Sequence, residues 1–139
     1  MRCHYCHNLP LQSGHDLRDT EEVLDMIRSS RLIISGVIFS GGEPTLQKDA
    51  LIELAGGCRE MDLKIGVQTN GVFPGTLRAL IDRGLLDLVH MDIKTRWEHY
   101  PHLFRVGPEV TNHVRESLGL CMKAKEEGRL EEFQVVVTL

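Results

Sequence analysis

Two periodicities alternate along the 139 residues. Val23, Leu24 and Ile27 share one helical face behind Asp19 and Glu22 at capping-box spacing, so the pattern predicts a helix ending near Ser30. Residues 37–39 form a short β-branched and aromatic run, closed by Ser40, Gly41 and Gly42. Leu51, Ile52, Leu54, Ala55 and Cys58 fall again on one helical face, and Ile65 and Val67 then close on Thr69, Asn70 and Gly71. The cycle repeats with Leu77, Leu80 and Ile81 as helix and residues 86–93 as strand. Last, Val110, Val114, Leu118, Cys121 and Met122 make a helical stripe that stops at Gly128, and residues 133–139 form a near-continuous apolar strand.

The predicted strand ends, near Ser40, Gln68, Ile93 and Leu139, lie 28, 25 and 46 residues apart. The first two intervals match a right-handed βαβ unit, and the third carries an insertion over residues 97–108. Repeated β/α units imply an α/β fold with a parallel sheet. A full eight-unit barrel takes about 250 residues, so the expectation is a partial (β/α) barrel filling residues 1–139 as one domain. The chain opens on a motif with no strand before it and closes on a strand with no helix after it. The barrel is therefore expected to be incomplete at both ends, a fragment without its first strand and its C-terminal strands.

Composition narrows the class of protein. With 42% hydrophobic and 26% charged residues the chain is that of a globular domain. Its net charge of −4 spreads 16 Lys and Arg among 20 Asp and Glu, which leaves no basic face for a nucleic-acid backbone. The apolar runs fall far short of the roughly 20 residues that cross a bilayer, and no secretion signal opens the chain. A cytoplasmic protein with neither a nucleic-acid nor a membrane partner is expected. Cys3 and Cys6 stand at metal-type spacing, whereas Cys58 and Cys121 fall in apolar helical stripes and are read as core.

In parallel α/β sheets ligands bind beyond the carboxyl ends of the strands. Here those positions carry Ser40-Gly41-Gly42-Glu43-Pro44-Thr45, Gln68-Thr69-Asn70-Gly71 and, on the third strand, Met91-Asp92-Ile93-Lys94. Paired glycines let the backbone come close to a ligand, and Glu43 can take a positive group; Gly41-Gly42 in isolation would equally make a tight βα turn. At the start, Cys3-His4-Tyr5-Cys6-His7-Asn8 holds two thiols in a C-x2-C loop, suited to one corner of an iron–sulfur cluster or to a zinc half-site with His4 or His7. His15, His90, His99, His102 and His113 have no ligand spacing to one another, and most of them read as surface or loop residues.

Together these four motifs, in this order over residues 1 to about 100, resemble the radical S-adenosylmethionine enzymes. Among them they are most similar to the activating proteins of glycyl-radical enzymes, in particular the activator of anaerobic ribonucleoside-triphosphate reductase. The resemblance implies that Cys3 and Cys6 are the second and third cysteines of a C-x3-C-x2-C signature that holds a four-iron, four-sulfur cluster. Tyr5 matches the aromatic position near the cofactor's adenine. Gly41, Gly42 and Glu43 match the turn that receives the methionine amine, with Gln68 and Asn70 on the neighbouring strand end. Asp92 and Lys94 match a pair near the methionine carboxylate, where related activators place a monovalent cation. Gln68 departs from the Asp often found at its position, and its amide oxygen is a weaker cation ligand.

The first signature cysteine would lie two residues before Met1. The reading frame is thus expected to begin inside the motif, and the chain as written is expected not to complete the cluster site by itself. The implied activity is reductive cleavage of S-adenosylmethionine and transfer of a radical to a glycine of a partner, with flavodoxin or ferredoxin as electron donor and no essential protein acid or base. Two alternatives stay open: a radical enzyme acting on a small molecule such as a deazapurine precursor, and a zinc-binding or structural remnant without turnover.

Overall fold

The computed structural model describes residues 17–101, 107 and 109–137. Its elements run α1 (Thr20–Ser30), β1 (Gly36–Phe39), α2 (Lys48–Glu60), β2 (Lys64–Thr69), α3 (Pro74–Asp82), β3 (Leu88–Ile93), α4 (Glu109–Glu126) and β4 (Glu132–Val137). Single 3-10 turns lie at Pro44–Leu46 and Trp97–His99. The four strands form one sheet in the order β1-β2-β3-β4, and every neighbouring pair is parallel. This is the α/β partial barrel that the alternating periods predict. Cys3, Tyr5 and Cys6 lie outside the described residues, as do 102–106 and 108 of the expected insertion.

Local chemistry accounts for the boundaries. Asp19 caps α1, its carboxylate accepting the Glu21 N–H at 2.8 Å. One turn before its end, α2 carries Gly57, where a Cβ would collide with Leu24; the missing side chain lets α1 lie against α2. The strand expected over residues 86–93 begins at Leu88 instead. Leu86 joins the core, but Asp87 makes a junction: its Oδ2 accepts the Ile65 N–H at 2.7 Å and Arg59 Nη2 at 3.0 Å. The Asp87 carbonyl accepts the N–H groups of Glu131 and Glu132 at 2.7 and 3.1 Å. One buried aspartate thereby ties together the amino ends of β2, β3 and β4.

Strand alternation sorts the sheet into two faces. Ile65, Val67 and Thr69 of β2 and Val89, Met91 and Ile93 of β3 are buried on one face. That face packs in a single core with Leu51, Ala55 and Cys58 of α2, Leu77, Leu80 and Ile81 of α3, and Val114, Cys121 and Ala124 of α4. The opposite face, which would be the inside of a barrel, presents Gln68, His90, Asp92, Glu132 and Gln134. Parallel sheets are normally covered by apolar contacts on both faces, whereas this face carries these polar groups together with the exposed Ile38 and Val136.

Candidate functional site

The carboxyl rim of β1 and β2 is organised around Glu43. Gly41 and Gly42 take left-handed backbone in succession, at φ 82° and 54°, and reverse the chain directly after β1. For Gly42 the need is conformational, because a Cβ there would meet nothing within 4 Å. The turn swings Glu43 inward. Its Oε1 accepts the Thr45 N–H at 3.1 Å, the Thr45 hydroxyl, and the Thr69 hydroxyl at 2.7 Å, while Oε2 accepts the Asn70 N–H at 2.8 Å. One carboxylate therefore bridges the β1 turn to the end of β2.

Further hydroxyls extend this knot into the helices. Thr69 Oγ1 accepts the Gly71 N–H at 3.1 Å, and Asn70 Oδ1 accepts the Val72 N–H at 3.0 Å in an Asx turn. Ser117 of α4 donates to the Gly71 carbonyl at 2.6 Å, and Thr76 of α3 donates to the Thr45 carbonyl at 3.0 Å. Thr45, Thr69, Thr76 and Ser117 are all buried, so each hydroxyl has its partner inside the protein.

Three polar pairs then cross the inner face. Ser40 donates to Gln68 Oε1 at 2.9 Å. His90 Nε2 and Glu132 Oε1 are 3.1 Å apart, joining β3 to β4. Lys94 donates to Asp92 Oδ2 at 2.6 Å, with both side chains about one-fifth exposed. Asp92 and Lys94 are two apart in extended chain and so share a face, while Ile93 between them is buried among the helices. The backbone N–H of Lys94 donates to the hydroxyl of Tyr100 at 3.0 Å. Tyr100 is fully buried and stacks on Trp97, with ring centroids 5.7 Å apart. Arg115 of α4 lies 5.2 Å over the Trp97 ring, so the segment after β3 is fastened to the last helix.

Of the residues singled out in the sequence, Gly41, Gly42, Glu43, Gln68, Asn70, Asp92 and Lys94 stand together along one rim. Glu43 faces the protein, and the backbone of Gly41 and Gly42 faces solvent. His90, one of the histidines without ligand spacing, lies in β3 within the stretch predicted as strand, and on the polar face. The buried hydroxyls of Thr45 and Thr69 lie within the strand-end motifs but carry no role in the sequence reading, and those of Ser117 and Tyr100 have no local signal. Cys58 and Cys121 are fully buried, as their apolar stripes predict, and burial raises both thiol pKa values, that of Cys121 from 9.0 to about 12. Among the described residues no three His, Cys, Asp or Glu side chains come together as metal ligands. Among the same residues no helix is long and apolar enough to cross a membrane. A hollow of about 150 Å³ lies between the turn after β1 and α2, lined by Ser40 and Gly41 of the rim together with Phe39, Pro44, Leu51 and Leu54.

A protein of Methanocaldococcus jannaschii named as a glycyl-radical enzyme activating enzyme is 37% identical over 127 residues, covering 88% of this chain and 52% of the relative. The pyruvate formate-lyase-activating enzyme of Clostridium pasteurianum is 32% identical over 101 residues, 66% of this chain and 42% of that enzyme. The 7-carboxy-7-deazaguanine synthase of Hyperthermus butylicus is 33% identical over 81 residues, 56% of this chain and 33% of the synthase. The chain thus spans about half the length, or less, of these relatives. The sequence profile of the radical SAM superfamily matches residues 1–138, nearly the whole length, and the chain belongs to that superfamily.

Proposed function

We propose that this chain is the S-adenosylmethionine-binding part of an activating enzyme that places a radical on a glycine of a partner protein, an anaerobic ribonucleoside-triphosphate reductase. Membership of the superfamily implies a four-iron, four-sulfur cluster and the use of S-adenosylmethionine. The observation that carries the reading is the rim. Exposed left-handed glycines stand in front of an inward-turned carboxylate, beside an Asp92–Lys94 pair that offers both signs of charge.

These residues fit a cofactor that bears an amine and a carboxylate. The Gly41–Gly42 backbone, open to solvent and free of side chains, can lie against the amine, with the charge of Glu43 behind it. Asn70 is held by its own Asx turn, and Lys94, paired with Asp92, would meet the methionine carboxylate. Cys3 and Cys6 would supply thiolates to the cluster and Tyr5 an aromatic contact to the adenine. Held there, the cluster would supply the electron for reductive cleavage of S-adenosylmethionine, the radical chemistry that the cofactor brings to the site. This chain's own residues bind, orient and exclude water. The greater identity and coverage of the M. jannaschii relative, compared with the deazaguanine synthase, support a glycyl-radical enzyme as the target over a small molecule.

The test uses a form of the protein carrying all three signature cysteines, reconstituted anaerobically with iron and sulfide and reduced. Mixed with the reductase, it should produce a glycine-centred paramagnetic signal that disappears in Cys3→Ala and Cys6→Ala. Turnover of a deazapurine precursor with no partner protein would overturn the reading in favour of a small-molecule enzyme. Tight zinc binding with no cluster formation would overturn it in favour of a structural role.

A further inference from the structure

We infer that a row of side chains across the inner face, Ser40, Gln68, His90 and Gln134, reads the main-chain amides of the partner loop that carries the target glycine. The inference rests on the proposed glycyl-radical activity and names the residues that recognise its substrate.

The row is a consequence of register. Gln68 of β2 pairs with His90 of β3, and His90 pairs with Gln134 of β4. Ser40 continues β1 beside Gln68, to which it donates at 2.9 Å. One side chain from each strand therefore stands at a single level of the sheet, over three inter-strand steps of about 4.8 Å. Roughly four residues of extended chain cover that distance. Strand alternation puts all four on the face away from the helices, where Ser40, Gln68 and Gln134 are exposed and His90 is half-buried.

The levels on either side decide what can lie on the row. One step toward the amino ends, Ile38 and Leu88 fold over Gly66, where a Cβ would collide with Leu88 and press on Ile38. Those aliphatic side chains make an apolar floor. Toward the carboxyl ends stand Asp92 and the rim read as the cofactor site. A segment lying on the row is thus held between the floor and the cofactor.

The chemistry of the row selects amides. It holds no Lys, Arg, Asp or Glu, so a phosphate or carboxylate laid on it meets no fixed cation. Each carboxamide offers donors and an acceptor, the complement of a peptide bond. Among the described residues Gln134 makes no side-chain hydrogen bond, and Gln68 makes only the one that its oxygen accepts from Ser40, which leaves its N–H₂ for a carbonyl. Glu132, one level below, fixes His90 through Nε2 at 3.1 Å and so presents Nδ1 to a ligand. A glycine has no side chain and is recognised through its main chain. Four side chains abreast also offer more hydrogen-bonding positions than one base-sized ring can meet, which favours a loop over a small molecule.

The experiment uses the three-cysteine form, reconstituted with its cluster, saturated with S-adenosylmethionine and left unreduced. The probe is a fluorescently labelled peptide spanning the target glycine of the reductase, with binding read by anisotropy. A second peptide is N-methylated at the glycine amide and the next amide, which removes main-chain donors and keeps every side chain. The parent should bind the first peptide about tenfold more tightly than the second. Gln134→Leu should weaken the first peptide about fivefold and reduce the preference between the two to less than about threefold. His90→Ala and Glu132→Ala should each weaken it, and together no more than His90→Ala alone, because Glu132 acts through His90. Iron content and S-adenosylmethionine affinity of Gln134→Leu should stay within about twofold of the parent, which a general loss of structure would not allow.

Equal binding of the two peptides by the parent would overturn the main-chain reading, and unchanged peptide affinity in Gln134→Leu would overturn the role of the row. A parent that binds neither peptide yet places a radical on the whole reductase would overturn the inference and leave the proposed activity standing. A parent that binds S-adenosylmethionine, yields no glycyl radical and turns over a deazapurine precursor would overturn both.

Discussion

Replacing Glu43 by Gln tests whether the rim is held by one carboxylate. Glu43 accepts from two backbone N–H groups and two buried hydroxyls, shared between its two oxygens. Gln offers one oxygen of nearly the same shape. If that oxygen serves Thr45 and Thr69, the new amide N–H₂ faces the Asn70 N–H across 2.8 Å and two donors oppose each other. If it serves Asn70, the buried hydroxyls of Thr45 and Thr69 lose their acceptor. Either way at least one hydrogen bond to a charged group is lost and a shielded donor is stranded, which costs about 2–3 kcal/mol. Glu43→Ala strands all four donors but admits water at a half-exposed position, for about 3–4 kcal/mol. For a chain of this length the Gln variant should melt roughly 6–12 °C lower. Urea unfolding measures the loss, and amide hydrogen exchange localises it: the Asn70 N–H should exchange at least about tenfold faster. A Gln variant within about 0.5 kcal/mol of the parent, with Asn70 protection unchanged, would refute the carboxylate bridge.

Three further outcomes follow from other parts of the structure. Gly42→Ala should cost about 1 kcal/mol in urea unfolding, because its positive φ penalises any side chain although space is open. Gly66→Val should cost about 1–3 kcal/mol, since a Cβ there would meet Leu88 Cδ1 on the inner face, and Leu88→Ala should restore part of the loss in a double-mutant cycle. The third concerns pH. The buried Cys121 thiol is held neutral to about pH 12, whereas its reference value is 9.0, so its contribution is complete below pH 9.0 and is lost as pH rises toward 12. Urea midpoints between pH 8 and 10.5 should therefore fall more steeply in the parent than in Cys121→Ala, by up to about 1.4 kcal/mol per pH unit above the reference value.

The order of elements and the parallel sheet were legible in the chain because apolar spacing is a local property that each helix and strand carries within itself. Val37 and Phe39, Ile65 and Val67, and Leu77, Leu80 and Ile81 announce their elements without reference to anything distant. The rim motifs were legible for the same reason: glycines that must reverse the chain and polar groups at strand ends are contiguous in sequence. Tertiary structure alone decided what those groups bind. Glu43 meets Thr69 and Asn70 only because β1 and β2 are neighbours in register, and Ser40 meets Gln68 by the same pairing. His90 looked like a stray histidine until β4 brought Glu132 beside it. The start of β3 moved from Leu86 to Leu88 because Asp87 satisfies backbone and side-chain groups from three other segments, none of them adjacent in the chain. Spacing announces which residues share a face; only the packed sheet decides which charges and donors on that face are already answered by a partner.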